Sequence, residues 1–335
     1  MTKTTSKATR LKVATLNVNG LRSSSSCVSK RRKFFSWFKQ LKVDIICLQE
    51  THSDECTESI WRNEWGGLGF FASGSERSRG VAILVKPGLP IRVNKEHKDP
   101  EGRFRIIEID YLGVKATLGN VYGPNTDDPA VFEQLCAALG AYSNEITILA
   151  GDFNFCMDIK LDRITLTTRL RNHTKCREIV CGFAEENNLV DAWRAVNPYA
   201  RKYTFDRTNP PSKSRIYFFL VSESLLNTAS GLKAEITDGY LADHKMVQVE
   251  LELSASPRGR SFWKLNNALL KEDGFVEMIK SSIPRILEIN NRPECSRILL
   301  LETVLTVIRR DIISYASQRK KRLRANFENL EEKIS

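Results

Sequence analysis

The sequence predicts an α/β protein built from two packed, mixed β-sheets flanked by helices, with a helical appendage behind it. Three observations carry this. Short apolar segments of strand character follow one another through the middle of the chain with few long helices between them, which argues against a simple strand-helix repeat. Helical spacing of apolar residues is confined to a few stretches. At Ser254 to Arg260, SASPRGR, the pattern breaks in a Ser, Pro and Gly run, and beyond it the periodicity is helical.

In chain order, the strand candidates are Leu11 to Leu16, Asp44 to Leu48, Val81 to Val85, Arg105 to Ile109, Val114 to Val121, Ile146 to Ala150, KSRIYFFLVS at 213 to 222, and Met246 to Leu251. Each is a short run of aliphatic, β-branched or aromatic residues closed by polar ones. Helices are expected near Lys30 to Lys39, Ala130 to Ala141 and Arg171 to Asn187. Past the break, Leu301, Val304, Leu305, Ile308, Ile312, Tyr315 and Ala316 recur at three and four residues and draw one apolar stripe. Leu323, Phe327, Leu330 and Ile334 continue that spacing after the basic run RKKRLR at 319 to 324, which reads equally as a nucleic-acid or import signal and as a solvated helix face. KRRK at 30 to 33 reads as an import signal or as the positive start of a helix. The expected organisation is a main domain over 8–253, a linker over 254–261 and a helical basic segment over 262–335.

At 335 residues the chain has ample apolar content for a large buried core. No uninterrupted apolar run reaches membrane-spanning length and the start, MTKTTSKATRLKV, has no secretory h-region, so an intracellular protein, nuclear or cytoplasmic and off the membrane, is expected. The eight cysteines (27, 47, 56, 136, 156, 176, 181 and 295) show no CxxC or metal-finger spacing and read as reduced thiols. The net charge of +11 is unevenly spread: residues 1 to 40 carry ten bases and no acid, residues 256 to 335 carry +6, and the middle is left at −5. Basic ends on an acidic centre suit a protein that attracts a polyanion and holds a cation at its working site, with solvated charged faces as the equal alternative.

Chemistry is concentrated at strand ends. Asn17 closes a strand in TLNVNGL, Glu50 in DIICLQETH, Asp152 and Asn154 follow ITILA in GDFN, and Asp243 and His244 stand together in LADHKMV. Strand ends are rigid mounts, so such side chains can converge on one mouth of a sandwich. Glu50 and Asn17 offer hard oxygen atoms that suit Mg²⁺ with waters retained, and His244 offers acid-base or anion-stabilising chemistry. Singly, each is more often a turn former or a solvated polar group, and GDFN alone could be an Asx turn. The ordered set is much harder to obtain by accident.

Together, TLNVNGL, IICLQETH, RGVAILV, NVYGPN, LAGDFNF, LVDAWR, YTF, SRIYFFLVS and ADHKMV resemble, in order, the endonuclease/exonuclease/phosphatase superfamily with its DNase-I-like, four-layer sandwich, over about residues 8 to 253. Within it the nearest resemblance is to the apurinic-like endonuclease of LINE-type retrotransposons. SFWKLNNALLKEDGF and the basic helical segment look like the connector toward a reverse transcriptase, so a fragment or truncated copy, with that downstream region as its partner, is expected.

The resemblance implies a Mg²⁺-dependent DNA endonuclease, with Mn²⁺ as the other candidate ion. Glu50 would hold the metal with help from Asn17, and Asp152 would position or activate the attacking water. Asn154 would orient the phosphate, Tyr122 approach it, and Asp243 assist metal or water placement. His244 would face the scissile phosphate. Thr204 in YTF would line the nucleic-acid surface, and Arg215 would bind substrate. One position departs from the pattern: after Arg-Ile the family has an aspartate that hydrogen-bonds the histidine, and this chain has Tyr217. Loss of the equivalent carboxylate in a serine-protease triad costs about 10⁴ in turnover, so impaired or lost catalysis is expected. Ala242 likewise stands where many relatives have serine. The alternatives are an abasic-site repair endonuclease, a phosphatase of small molecules or lipids, and a catalytically inactive nucleic-acid-binding remnant.

Overall fold

The computed structural model describes residues 9–21, 25–75, 78–165, 173–208, 211–228, 231–239, 244–253, 269–270, 272–290, 296–309, 311–312, 314–315 and 319. Asp243, Ala242, the linker and most of RKKRLR lie outside the described residues. The chain divides into two units, Met1–Pro257 and Arg258–Ser335.

In the first unit the elements run β1 (Thr9–Asn17), α1 (Ser25–Gln40), β2 (Ile45–Gln49), α2 (Glu55–Trp65), β3 (Leu68–Ala72), β4 (Val81–Val85), β5 (Ile91–Lys98), β6 (Phe104–Tyr111), β7 (Val114–Tyr122), α3 (Ala130–Leu139), β8 (Ile146–Asp152), α4 (Ile159–Asp162), β9 (Arg163–Thr165), α5 (Thr174–Glu186), β10 (Leu189–Asp191), α6 (Ala192–Val196), β11 (Phe205–Arg207), β12 (Ser212–Ser214), β13 (Tyr217–Ser222), β14 (Lys233–Asp238) and β15 (Lys245–Leu253). Two six-stranded sheets form, in the orders β14-β15-β1-β2-β4-β3 and β10-β13-β8-β7-β6-β5, beside a small sheet β11-β12-β9. Among the described residues only the β1–β2 and β7–β8 pairs are parallel, so both large sheets are mixed.

Strand parity explains the layers. In β2, Ile45 and Cys47 join the core between the sheets, while Ile46 and Leu48 pack outward with Phe34 and Phe38 of α1 and Trp61 and Trp65 of α2. In β8, Ile148 and Ala150 face the other sheet, and Leu149 faces Leu135 and Leu139 of α3 and Val180 of α5. With both faces buried, the central strands are continuous apolar runs instead of alternating ones. The result is the expected helix-sheet-sheet-helix sandwich.

Local chemistry sets the helix ends. Asp54 and Thr57 form a reciprocal capping box at the start of α2, and Gly66 closes it in the left-handed conformation. The α5 N-terminus is capped from a distance: both carboxylate oxygens of Asp127 accept from the backbone N–H groups of Thr174, Lys175 and Cys176 at 3.1–3.2 Å. One polar pin crosses the apolar layer below the strand ends. Gln49 Nε2 donates to Asn120 Oδ1 at 2.6 Å, and Asn120 Nδ2 donates to the Leu48 and Ala82 carbonyls at 2.9 Å. It locks the sheets together next to Glu50 and Tyr122. Cys47, Cys56, Cys136, Cys156, Cys176 and Cys181 are free thiols.

In the second unit, α7 (Asp273–Asn290) and a further helix over 297–309 are described. Phe275, Leu269 and Ile312 are buried with Ile308 and Tyr315 packed against them. Leu301 and Leu305 stay 58% and 59% exposed. The expected single stripe is therefore divided: its face meets Phe275 only from Ile308 onward. Among the described residues no helix is long and apolar enough to cross a membrane.

Candidate active site

Five strand ends meet at one end of the sandwich. The parallel pair β1 and β2 finishes at Asn17 and Gln49, and the parallel pair β7 and β8 at Tyr122 and Asp152. Antiparallel β13 begins there, with Tyr217 paired to Asp152. Asn17 joins the two sheets: its Nδ2 donates to Glu50 Oε1 at 2.7 Å and to Asp152 Oδ2 at 3.0 Å, and its Oδ1 accepts from Asn19 N–H at 3.0 Å.

The loops leaving these strands are held in an uncommon conformation. Asn19, Glu50, His52 and Asn154 have φ of 44°, 51°, 53° and 56°, and such non-glycine strain persists only where surroundings enforce it. Lys30 Nζ donates to the Val18, Asn19 and Gly20 carbonyls, each at 3.0 Å. Gly20 must be glycine, since φ is 79° and a Cβ would stand 2.8 Å from His52 Nδ1. Asn154 is tied by its N–H to Asp152 Oδ1 at 3.0 Å and by Nδ2 to the Gly123 carbonyl at 2.8 Å.

The two carboxylates differ in charge state. Burial, with the Glu50 charge adding to it, pushes Asp152 up to about 7 against the pull of hydrogen bonds from Asn17, Asn154 and Tyr217. For Glu50, burial is outweighed by hydrogen bonds from His52, Asn17 and Tyr122, which hold it below the ordinary value. Burial and these two carboxylates raise Tyr122, so its phenol stays protonated and donates to Glu50.

His244 immediately precedes β15. Its Nδ1 is hydrogen-bonded to the Tyr217 hydroxyl, and its ring stacks on Phe205 with centroids 5.1 Å apart at 15°. Hydrogen bonds thus gather Asn17, Glu50, Tyr122, Asp152, Asn154, Tyr217 and His244 at one mouth.

Three expectations change. Arg215 does not face substrate: it is fully buried, donating to Asp162 at 2.8 and 2.6 Å and to Asp191 at 2.6 Å, between the rings of Trp193 and Phe218. A guanidinium inside the protein needs those two carboxylates. Thr204 does not line a surface either. It is fully buried, and its Oγ1 accepts from the Ile216 and Tyr217 backbone N–H groups at 3.0 and 3.1 Å, fixing the start of β13. Asn17 turns its amide nitrogen, not its oxygen, toward the carboxylates, so it spaces and orients them instead of lending a ligand oxygen.

Among the described residues no group of three His, Cys, Asp or Glu is arranged to hold a metal. Glu50 and Asp152 nevertheless share one amide donor, and burial, with a smaller contribution from the Glu50 charge, raises Asp152. That donor set, hard and sparse in protein atoms, fits a divalent cation that keeps several waters.

Sequence reasoning missed three residues here. His52 lies with Nε2 3.7 Å from Glu50 Oε2, and its place two residues on in QETH was the available signal. Phe205, next to Thr204 in YTF, carries the His244 stack. Arg103 arrives with no local signal: it lies 5.1 Å over the Tyr122 ring and donates to the Gly123 carbonyl at 3.2 Å.

The Endonuclease/Exonuclease/phosphatase family model matches residues 14–244. Similar curated proteins include the transposon TX1 uncharacterized 149 kDa protein of Xenopus laevis, 29% identical over 81% of this chain and 20% of that protein. Another is an exodeoxyribonuclease of Bacillus subtilis, 29% identical over 64% of this chain and 89% of that one. The chain thus spans about one fifth of the transposon protein. Among solved structures, an AP endonuclease from Leishmania major superposes with a TM-score of 0.59 at 19% identity, covering 72% of this chain and 88% of that one, which supports the fold.

Proposed function

From the premise that this chain belongs to the endonuclease/exonuclease/phosphatase family, and so to a group of hydrolytic nucleases and phosphatases, we propose that it is a divalent-metal-dependent DNA endonuclease. Its proposed role is nicking target DNA for a retrotransposon. The observation that carries the chemistry is the Asn17 amide held between Glu50 and Asp152 across two sheets. The similarity to a transposon protein supports the biological setting.

Glu50 and Asp152 would hold the cation, Mg²⁺ with Mn²⁺ as the substitute, aligned by Asn17. Such an ion supplies neutralisation of phosphate oxygens and polarisation of water. The protein's own groups do the rest. Asp152, held by Asn17 and the Asn154 N–H, would position the attacking water. Protonated Tyr122 and the Asn154 amide are donors for phosphate oxygens, and His244 stabilises charge on the phosphate or its leaving oxygen. Asp243, adjacent to His244 in sequence, remains assigned to metal or water placement. Tyr217 supplies no formal charge to an imidazolium, so turnover is expected below that of a carboxylate-bearing variant.

The test is nicking of supercoiled plasmid with Mg²⁺ or chelator, using the unaltered protein, Asp152→Ala and Tyr217→Asp. Metal-dependent nicking lost in Asp152→Ala and faster in Tyr217→Asp is expected. Equal rates for the unaltered protein and Tyr217→Asp would remove the impairment. Salt-sensitive DNA binding with no cleavage by any form would leave a binding remnant, and strong preference for an abasic duplex a repair enzyme.

A further inference from the structure

We propose that Gln49 and Asn120 are positioning residues: their hydrogen bond between the sheets sets the separation at which the Asn17 amide serves Glu50 and Asp152 together. The proposal rests on the nuclease reading only in taking those two carboxylates as the working pair.

Strand parity places the pair. On β1 the inward residues Leu11 and Val13 lead to Thr15 and Asn17, and on β2 Ile45 and Cys47 lead to Gln49. On the facing sheet Ala116 and Leu118 lead to Asn120 and Tyr122, and Ile148 and Ala150 lead to Asp152. Asn17 stands beside Gln49 in the β1–β2 pair, and Asn120 lies one inward step below Tyr122, the neighbour of Asp152. Two side-chain ties therefore join these four strands: Asn17 to Asp152, from β1 to β8, and Gln49 to Asn120, from β2 to β7. One tie is a pivot, and two hold the register.

Donor counting fixes which atoms meet. Asn120 spends both Nδ2 hydrogens on the carbonyls of Leu48 and Ala82, which are directly opposed in the β2–β4 ladder. Its Oδ1 is therefore what faces Gln49, and Gln49 must present Nε2, which also donates to Thr15 Oγ1 at 2.9 Å. Gln49, Asn120 and Thr15 are fully buried, so these bonds act in a low dielectric.

An apolar layer here would fill the space and let the sheets slide, since apolar contact has no direction whereas a hydrogen bond has a length and an angle. The site tolerates little sliding. Asn17 Nδ2 lies 2.7 Å from Glu50 Oε1 and 3.0 Å from Asp152 Oδ2, so a shift of about half an ångström carries a bond past the limit of about 3.2 Å. Glu50 follows Gln49 directly with φ of 51°, and its carbonyl accepts from Gly20 N–H at 2.7 Å, so a displaced Gln49 displaces the carboxylate.

The test uses the full chain with Gln49→Met and Asn120→Leu combined, which removes both polar partners at similar volume, whereas either change alone strands the other partner. In chelator without DNA, the Asn17 side-chain amide peaks of a ¹H–¹⁵N spectrum, assigned by their loss in Asn17→Asp, should shift in the double variant. Its Mg²⁺ affinity by calorimetry should fall about 10- to 100-fold, the range for groups one step behind a metal site. On supercoiled plasmid kcat should fall by a similar factor at unchanged KM, a split that lost stability alone does not produce. In the unaltered protein the Gln49 and Asn120 side-chain amides should be protected from deuterium exchange like the backbone of β2 and β7. Unshifted Asn17 peaks or an unchanged kcat in the folded double variant overturn the proposal. So does rapid exchange in the unaltered protein, which decides alone if the variant does not fold. If no form nicks, the nuclease reading fails, and the Asn17 peaks, read without metal or DNA, still decide whether the pair positions Asn17.

Discussion

Replacing Asp152 by Asn removes a carboxyl that folding buries and holds near neutrality. The residue is 2% exposed, and burial together with Glu50 lifts it from 3.8 to about 7. Between those values the native protein keeps a proton that the unfolded chain has lost, so stability falls as pH rises through this window. The separation is worth about 4 kcal/mol at about 1.4 kcal/mol per pH unit. Integrated over pH 5 to 8, the loss is about 2.5 kcal/mol. Asn cannot ionise, so Asp152→Asn escapes the loss. Its stability relative to the unaltered protein should climb by about 2.5 kcal/mol across that interval, on top of a constant offset from the Asn17 amide now facing an amide. Urea unfolding of both proteins in chelator at each pH gives this difference and cancels the other titrating groups. A difference that stays flat from pH 5 to pH 8 would refute the claim that burial holds Asp152 near neutrality. Mg²⁺ at pH 8 should stabilise the unaltered protein more than Asp152→Asn, because a cation beside the two carboxylates relieves the same strain.

Three further outcomes follow from the site. Glu50→Gln should abolish both Mg²⁺-induced stabilisation and plasmid nicking; nicking that persists unchanged would move the cation away from Glu50. Arg215→Leu leaves Asp191 without its guanidinium and the fully buried Asp162 with Arg194 alone, and should cost about 3–5 kcal/mol in urea unfolding, whereas weakened DNA binding at unchanged stability would restore its assignment to substrate. Arg103→Ala removes a cation lying over Tyr122, and the slope of log binding constant against log salt for duplex DNA should shrink by about 0.9, the value for one phosphate contact; an unchanged slope would confine Arg103 to packing.

The central strands were legible because burial on both faces leaves nothing but apolar residues, as in VAILV, which is strand β4 from end to end. The edge strands β5 and β14 were not. Each has a solvent-facing side and only two alternating apolar or small residues directed inward, Ile91 and Val93 in one, Ala234 and Ile236 in the other, so their period barely rises above polar noise. Helix α2 escaped for a related reason, although its Asp54–Thr57 cap and Gly66 stop were there to be read.

For the site, residue types at strand ends were legible and their pairings were not. Asn17 and Asp152 are separated by 135 positions, and no local pattern says which amide atom turns toward which carboxylate. Arg215 shows the limit most sharply. A charged residue before an apolar strand reads as exposed, yet Asp162 and Asp191 arrive from 53 and 24 positions away to neutralise it. Parity would have carried the argument further at Tyr217. In β13 the residues Tyr217, Phe219 and Val221 share the face between the sheets, the face on which Asp152 lies opposite. A buried aromatic there is ordinary packing along most of its length, but a hydroxyl at its tip requires a partner. Two polar partners stand at the mouth, a carboxylate and an imidazole, and one oxygen that both donates and accepts can satisfy both at once. Phenylalanine would fill the same space without the oxygen that reaches His244 Nδ1, whereas Asp152 would keep its bonds from Asn17 and Asn154, so what the hydroxyl adds at this position is the tie to the histidine.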